Sequence, residues 1–178
     1  FALVWWLTST TGSATVLASS TLVALLPQIL LSPFAGALVD RWDRRWIMVL
    51  ADTVIALATL GLVYLFATGQ AQVWHGFAAL LVRSMGGAFH SPAMYASTAL
   101  MVPSQHLTRV AGANQTMQGL LSIFAPPLGA LLISVLPMQG VLAIDIGTAL
   151  LAVLPLLFIT IPKPPRQETP EKFIKTSY

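Results

Sequence analysis

The sequence predicts an all-α polytopic membrane protein. Of its 178 residues, 56% are hydrophobic and only 8% are charged, whereas a soluble domain carries roughly 25% charged residues. Uncharged apolar stretches cover residues 1–39, 53–82, 110–144 and 146–162. Because a helix needs about 20 residues to cross the hydrocarbon core of a bilayer, these stretches predict several membrane-spanning helices.

Six helices are predicted along the chain. Residues 1–7 are too short to span a membrane, so we interpret them as the end of a first helix whose start lies before Phe1. A small polar run then forms a turn, and the second helix contains Pro27 as an expected kink, which membrane helices tolerate. The predicted ranges are about 1–7, 14–39, 46–67, 73–101, 109–136 and 141–161.

The later helices are bounded by polar turns. The third helix stops at the run ATGQAQ, which is rich in Gly and Gln. A polar loop separates the fourth helix from the fifth, and the run PMQG separates the fifth from the sixth. We therefore expect residues 1–162 to form one transmembrane unit. Residues 163–178 are polar and rich in proline, which is typical of a linker, and we expect them to begin a cytoplasmic central linker.

The basic residues predict how the chain is oriented. If the helices cross the membrane alternately, eight of the nine basic residues lie on one side and none lies in the loops of the other side. Lys and Arg are enriched in cytoplasmic loops, so this side is expected to be cytoplasmic in a multi-pass protein of the cell membrane. The net charge of +3 is then a topology signal and does not indicate a nucleic-acid partner. The eight residues are Arg41, Arg44, Arg45, Arg109, Lys163, Arg166, Lys172 and Lys175.

The stretch GALVDRWDRRWI, residues 36–47, holds five charged residues in six consecutive positions. It matches the pattern G-x-L-x-D-R-x-G-R-R/K-x-hydrophobic at seven positions, and it resembles the loop between helices two and three of the major facilitator superfamily. Asp43 departs from the pattern, which has Gly there. The matching residues are Gly36, Leu38, Asp40, Arg41, Arg44, Arg45 and Ile47.

Two weaker motifs support the same resemblance. Arg83 and Gly87 resemble the superfamily motif with a buried arginine in helix four. Pro126 and Gly129 resemble the antiporter motif G-P-x-x-G, although Ala125 replaces its first glycine. The run DRWDRR, with RSMGGAFHSPA and the AID segment, is most similar to the macrolide-efflux branch. The resemblance implies the N-terminal six-helix bundle of a major facilitator fold, with its first helix truncated and its C-terminal six-helix half missing.

The resemblance also implies a function. We expect a secondary active exporter that works by alternating access, in which an amphiphilic compound leaves the cell while protons enter. The alternatives are an exporter of an endogenous metabolite or siderophore, an importer, and a membrane scaffold that transports nothing. No enzyme motif, metal-ligand cluster or cofactor motif is recognisable in the sequence, so no catalytic activity, metal or cofactor is predicted.

The charged motif has a gating interpretation and a simpler one. Gly36 would let two helix ends approach closely. Asp40 at the membrane edge would pair with Arg44 or Arg45, or face a helix N-terminus of the opposite half, and so hold a cytoplasmic gate shut. The alternative, strongest for Arg41 and Arg45, is that the arginines fix topology and contact anionic lipid, at roughly 1 kcal/mol per residue.

Four ionisable residues are predicted inside the spans, where a charge costs about 2.5–3.5 kcal/mol on insertion scales. Arg83 is a fixed positive charge that either tunes a nearby carboxylate or holds helix four. Asp145 is a candidate proton site or a structural hydrogen-bonding group. Asp52 is expected to pair with Arg44 or Arg45. His90 titrates in the useful pH range, although a satisfied buried histidine is more common.

A polar stripe on the fifth helix is the remaining candidate. Asn114, Gln118 and Ser122 recur every four residues and therefore share one face of the helix. Such a face would line a substrate cavity or bond to a neighbouring helix, and the sequence does not decide between the two.

Overall fold

A computed structural model describes residues 1–158, and this part of the chain is almost entirely helical without a β-strand. The all-α class predicted from the sequence is confirmed. In chain order the helices are α1 (Ala2–Thr11), α2 (Ala14–Val39), α3 (Arg44–Ala67), α4 (Val73–Met101), α5 (Leu107–Val135) and α6 (Met138–Phe158), and a short 3₁₀ turn (Ser104–His106) precedes α5. The expected linker and the last predicted residues of the sixth helix lie outside the described residues.

Several helix ends differ from their predicted positions by one to four residues, and two of these differences arise because polar side chains bond to the backbone. α1 continues to Thr11, through a polar run that was expected to form a turn from Thr8 onwards, since the Thr8 and Thr11 hydroxyls donate to the carbonyls of Val4 and Leu7, both at 2.8 Å. Gly12 then ends the helix at a φ of 62°, a left-handed conformation that glycine adopts without strain. α3 begins at Arg44, two residues before the predicted start.

Four of the described helical segments are long and apolar enough to cross a membrane: α2, α3, the segment Ser104–Val135, and α6. α4 has the length, with 29 residues, but it carries Arg83 and two histidines and is less apolar. Its place in the bundle explains this composition, because α4 packs against α1, α2 and α3 and has neighbours on several sides.

Small residues let α4 approach its neighbours closely. A Cβ atom added to Gly76 would lie 2.9 Å from a methyl carbon of Leu7 in α1, and one added to Gly86 would lie 2.6 Å from a methyl carbon of Ile55 in α3. Close backbone contact of this kind drives helix association in membranes. The buried residues of α4 are Gly76, Ala79, Leu80, Ser84, Ala88, Ala93 and Ser97.

α2 runs through Pro27 and Pro33 without interruption. Beside Pro27, the backbone N–H of Gln28 donates to the Ser84 hydroxyl of α4 at 3.2 Å. A backbone group next to a proline thus bonds to the adjacent helix, as membrane helices require.

The bundle has two ends with different compositions. The loop of residues 40–43 and the turn of residues 102–106 lie at one end, which we call the basic end, together with the end of α6. The turns at 12–13, 68–72 and 136–137 lie at the opposite end. α3 therefore runs away from the basic end, whereas α4 and α6 run towards it.

Candidate functional site

An ion pair links α4 to α6 inside the bundle. Arg83 Nη1 donates to Asp145 Oδ2 at 2.5 Å, and Arg83 Nη2 lies 3.5 Å from Asp145 Oδ1. Arg83 Nη1 also lies 3.4 Å from the Thr59 hydroxyl of α3, so one guanidinium contacts three helices. The two charged side chains are 37% and 39% exposed, so the pair borders open space. The sequence identified both residues but did not predict that they pair with each other.

A second pair links α3 to α4. His90 Nε2 lies 3.4 Å from Asp52 Oδ2, and both side chains are less exposed than those of the first pair. The expected pairing of Asp52 with Arg44 or Arg45 is wrong. Asp52 lies about two helical turns beyond these arginines, roughly 11 Å along α3, and its neighbour is set by the antiparallel packing of α3 against α4.

All four ionisable side chains that the sequence placed inside the spans line one cavity. It has a volume of about 330 Å³ and lies between α3, α4 and α6, where Thr59 and Thr148 add hydroxyl groups. Arg83 and His90 are seven residues apart on α4, so the two pairs are separated by about 10 Å along the bundle axis. The Asp52–His90 pair is the nearer of the two to the basic end. We call this space the inner cavity.

A second cavity meets the first at the Arg83–Asp145 pair. It has a volume of about 290 Å³ and is lined by Phe1, directly before α1, by Leu132 of α5 and by residues of α4 and α6, including Arg83 and Asp145 themselves. We call it the outer cavity. The ion pair borders both spaces. A larger apolar cavity of about 560 Å³ lies between α2, α3 and α4 and is lined by neither pair.

The charged loop places Asp40 directly at the end of α2. The Asp40 N–H donates to the Gly36 carbonyl at 3.2 Å, and the side chain is exposed. Within residues 1–158, Asp40 and Arg41 form no ion pair. No heavy atom lies within 4 Å of a Cβ atom added to Gly36, so the close approach inferred for this glycine is not made inside the described bundle. Gly36 and Asp40 are both accessible to a group outside it.

Arg44 and Arg45 tie the basic ends of three helices together. Arg44 Nη1 lies 3.5 Å from the Ala96 carbonyl of α4. Arg45 donates through Nη2 to the Leu157 carbonyl of α6. Both acceptors are backbone carbonyls in the parts of α4 and α6 that lie towards the basic end. Among residues 1–158, the two arginines therefore hold α3 to α4 and α6 through backbone carbonyls and have no carboxylate partner.

Asp43, which departs from the sequence pattern, has a local structural role. It is the N-cap of α3, and its carboxylate accepts the backbone N–H of Arg45 at 3.1 Å. The sequence contains a signal for this N-cap role, because Asp43 stands directly before the helical run RRWI and Asp is a preferred N-cap residue. This role was not identified from the sequence.

We expect Asp43→Ala to lower the stability of the protein by about 1 kcal/mol, because the first turn of α3 loses its cap. Asp43→Asn keeps the capping oxygen and is expected to retain the parent stability. Unfolding of the detergent-solubilised protein, followed by circular dichroism, measures both effects. Equal stability of Asp43→Ala and the parent would contradict the capping role.

α5 is the least packed helix of the described chain, with no buried residue. Gln118 and Ser122 are exposed and Asn114 is half-buried, while the Ser122 hydroxyl donates to the Gln118 carbonyl at 2.8 Å. The stripe faces open space, so lining a cavity remains a prediction.

Pro126 and Gly129 were expected to mark a break in the fifth helix, but α5 runs through Pro126 and Pro127 without interruption. A Cβ atom added to Gly129 would lie 2.6 Å from the Phe1 ring, so this glycine lets α1 pack directly on the α5 backbone.

Comparison with known proteins gives a consistent result. The family model described as Major Facilitator Superfamily matches residues 1–176. A protein named Macrolide efflux protein A from Streptococcus pyogenes is 40% identical over 162 residues, which are 91% of this chain and 40% of that protein. A protein of the same name from Enterococcus faecalis is 41% identical over 85% of this chain and 47% of its own length.

More distant relatives agree with this family. The uncharacterised MFS-type transporter YfiS of Bacillus subtilis is 29% identical over 75% of this chain and 31% of its own length. The chain thus spans less than half the length of these curated relatives. No solved structure matches the chain significantly.

Proposed function

The chain belongs to the major facilitator superfamily, and on this premise we propose that it forms the N-terminal half of a proton-coupled exporter of amphiphilic drugs such as macrolides. The proposal draws its substrate class from two relatives that are named as macrolide efflux proteins. It draws its coupling mechanism from the charges inside the bundle. A multi-pass membrane protein of this family works with a lipid bilayer and a small-molecule substrate.

The observation that carries the coupling proposal is the Arg83–Asp145 pair, with Nη1 and Oδ2 2.5 Å apart. Both residues lie within helices that the sequence predicts to span the membrane. Arg83 keeps its proton under all physiological conditions. Asp145 therefore has two stable arrangements: ionised and paired with Arg83, or protonated, neutral and released from it. Intramembrane ionisable residues that alternate in this way form proton relays in transporters.

The pair connects proton binding to helix position. Because Arg83 is on α4 and Asp145 is on α6, loss of their attraction changes the force that holds the two helices together. α4 is packed closely against α1, α2 and α3, so it transmits a shift to the rest of the bundle. Alternating access in this superfamily consists largely of rocking one bundle against the other around a site near the midplane. Protonation of Asp145 would bias this motion.

The charged loop supplies the proposed gate. We place the basic end in the cytoplasm, in agreement with its arginines. There the exposed Asp40 carboxylate is free to face a helix N-terminus of the second half, where the helix dipole favours an anion. Arg44 and Arg45 keep the surrounding helix ends together, so that Asp40 is presented at a fixed position.

Uptake measurements test the proposed function. The complete gene product is expressed in a bacterial strain that lacks its own macrolide exporters, and accumulation of a radiolabelled macrolide is followed. We expect expressing cells to accumulate less macrolide than cells with an empty vector. A protonophore should abolish this difference, because it removes the gradient that drives export.

The same assay separates the alternatives. Equal accumulation with and without the protein would contradict macrolide export and favour another substrate or a non-transporting role. Reduced accumulation that persists after the protonophore would contradict proton coupling while leaving efflux in place.

A further inference from the structure

The Arg83–Asp145 pair and the His90–Asp52 pair are arranged in series. The outer cavity reaches the Arg83–Asp145 pair, which also borders the inner cavity, and the Asp52–His90 pair lines the inner cavity nearer the basic end. The order from the outer cavity towards the basic end is therefore Asp145, polar cavity, His90 and Asp52.

We propose that His90 and Asp52 form a second proton-transfer station, which receives the proton from Asp145 and passes it towards the basic end. This inference rests on the proposed function, since it names the proton route of the same site. It assigns to the first half of the transporter a complete path between α3, α4 and α6.

The distance between the two pairs and the volume of the inner cavity fit a proton transfer that runs through bridging water. A gap of about 10 Å along the helices is too long for direct transfer and needs bridging water. The inner cavity, with a volume of about 330 Å³, accommodates several molecules at about 30 Å³ each. Thr59 and Thr148 supply hydroxyl groups along its wall, so bridging water would find polar partners.

Each transfer step conserves the proton. A proton from the outer cavity binds a carboxylate oxygen of Asp145, which then leaves Arg83. It moves through bridging water to Nδ1 of the neutral His90 ring, while the proton on Nε2 passes to Asp52. Asp52 releases that proton towards the basic end, and the His90 ring returns to its first tautomer when Nδ1 gives its proton to cavity water and Nε2 takes one up from that water. The unpaired Arg83 then attracts the ionised Asp145 again.

The charges around the cavity favour this order. Asp52 of α3 contacts His90 directly, Asp145 of α6 lines the same cavity, and Arg83 lies two turns away on α4. Phe1, directly before α1, lines the far side of the Arg83–Asp145 pair. The fixed charge of Arg83 repels a free hydronium ion. A proton therefore crosses this level bound to Asp145 rather than free in water. Asp52 supports a positive charge on the His90 ring during transfer.

The test compares two transport modes of the complete gene product in proteoliposomes. Efflux driven by a pH gradient needs net proton movement, whereas substrate exchange at equal pH does not. His90→Gln keeps a hydrogen-bonding side chain but cannot relay a proton. We expect it to lower the ratio of gradient-driven efflux to exchange by at least about tenfold, a modest share of what a positioned proton-transfer group contributes.

Two further variants complete the experiment. Asp52→Asn changes the other residue of the station, on α3, and we expect it to lower the ratio of gradient-driven efflux to exchange by a similar factor. His106→Gln removes an exposed histidine from the turn before α5 and is expected to keep the parent ratio. Because the ratio compares modes within one preparation, a smaller amount of folded protein does not change it.

The outcomes separate this inference from the proposed function. If the parent shows gradient-driven efflux and either His90→Gln or Asp52→Asn keeps the parent's ratio of gradient-driven efflux to exchange, the second station is overturned. The proposed function is then unaffected. Absence of gradient-driven efflux in the parent overturns both.

Discussion

Asp145→Asn is expected to reduce proton-driven efflux by at least about tenfold. The asparagine side chain cannot bind or release a proton at this position, and it cannot neutralise Arg83, which lies 2.5 Å from the native carboxylate. Efflux of a fluorescent macrolide from energised cells measures the loss, and immunoblotting of isolated membranes measures insertion.

A double variant separates coupling from stability. An arginine at membrane depth without a partner is unfavourable. A loss of efflux in Asp145→Asn alone therefore does not distinguish lost proton coupling from a destabilised fold. Arg83→Gln combined with Asp145→Asn leaves two neutral side chains that hydrogen-bond to each other. We expect this variant to insert as well as the parent and still to lack proton-driven efflux. If the double variant exported the macrolide as well as the parent does, the Arg83–Asp145 pair would be a structural contact without a role in coupling.

Asp40→Asn is expected to abolish or strongly reduce efflux while leaving insertion intact. Within the described bundle the Asp40 side chain is exposed and forms no ion pair, so its removal leaves the stability of this half nearly unchanged. Its proposed role is to hold the gate against a helix N-terminus of the second half, and a neutral amide loses the charge that the dipole favours. The same fluorescent efflux assay measures the effect.

Asp43→Asn is the matched control for this prediction. It makes the same change of charge three residues along the chain, and it keeps the side-chain oxygen that caps α3. We expect efflux close to that of the parent. Equal losses in Asp40→Asn and Asp43→Asn would indicate that the loop needs negative charge in general, and unchanged efflux in Asp40→Asn would remove the gating role.

Hydropathy and charge were sufficient to predict the helical class and the position of most helices. The bounds of α2 and α4 follow from the length of their largely apolar runs and from the polar turns on either side, because a membrane span leaves few other choices between two polar ends. The end of α1 was misplaced because threonine hydroxyls satisfied backbone carbonyls and let a polar run stay helical. The start of α3 was misplaced because the capping role of Asp43 was missed.

The pairing of charges depends on which helices face each other, and composition alone does not contain this information. Asp52 was assigned to the arginines nearest to it in sequence. A better guide was the hairpin register: Asp52 lies sixteen residues before Thr68 and His90 lies eighteen after Gln72, so an antiparallel α3–α4 pair brings them to the same depth. No comparable local signal joins Arg83 to Asp145, because the helices that carry them are not consecutive.

Proton movement induced by substrate is the most direct test of the account. The complete gene product is reconstituted in liposomes that contain a pH-sensitive dye, and a macrolide is added on one side without an imposed pH gradient. We expect the macrolide to induce a proton flux in the parent and none in Asp145→Asn. Macrolide transport without proton movement in the parent, or an identical flux in both proteins, would contradict coupling through Asp145.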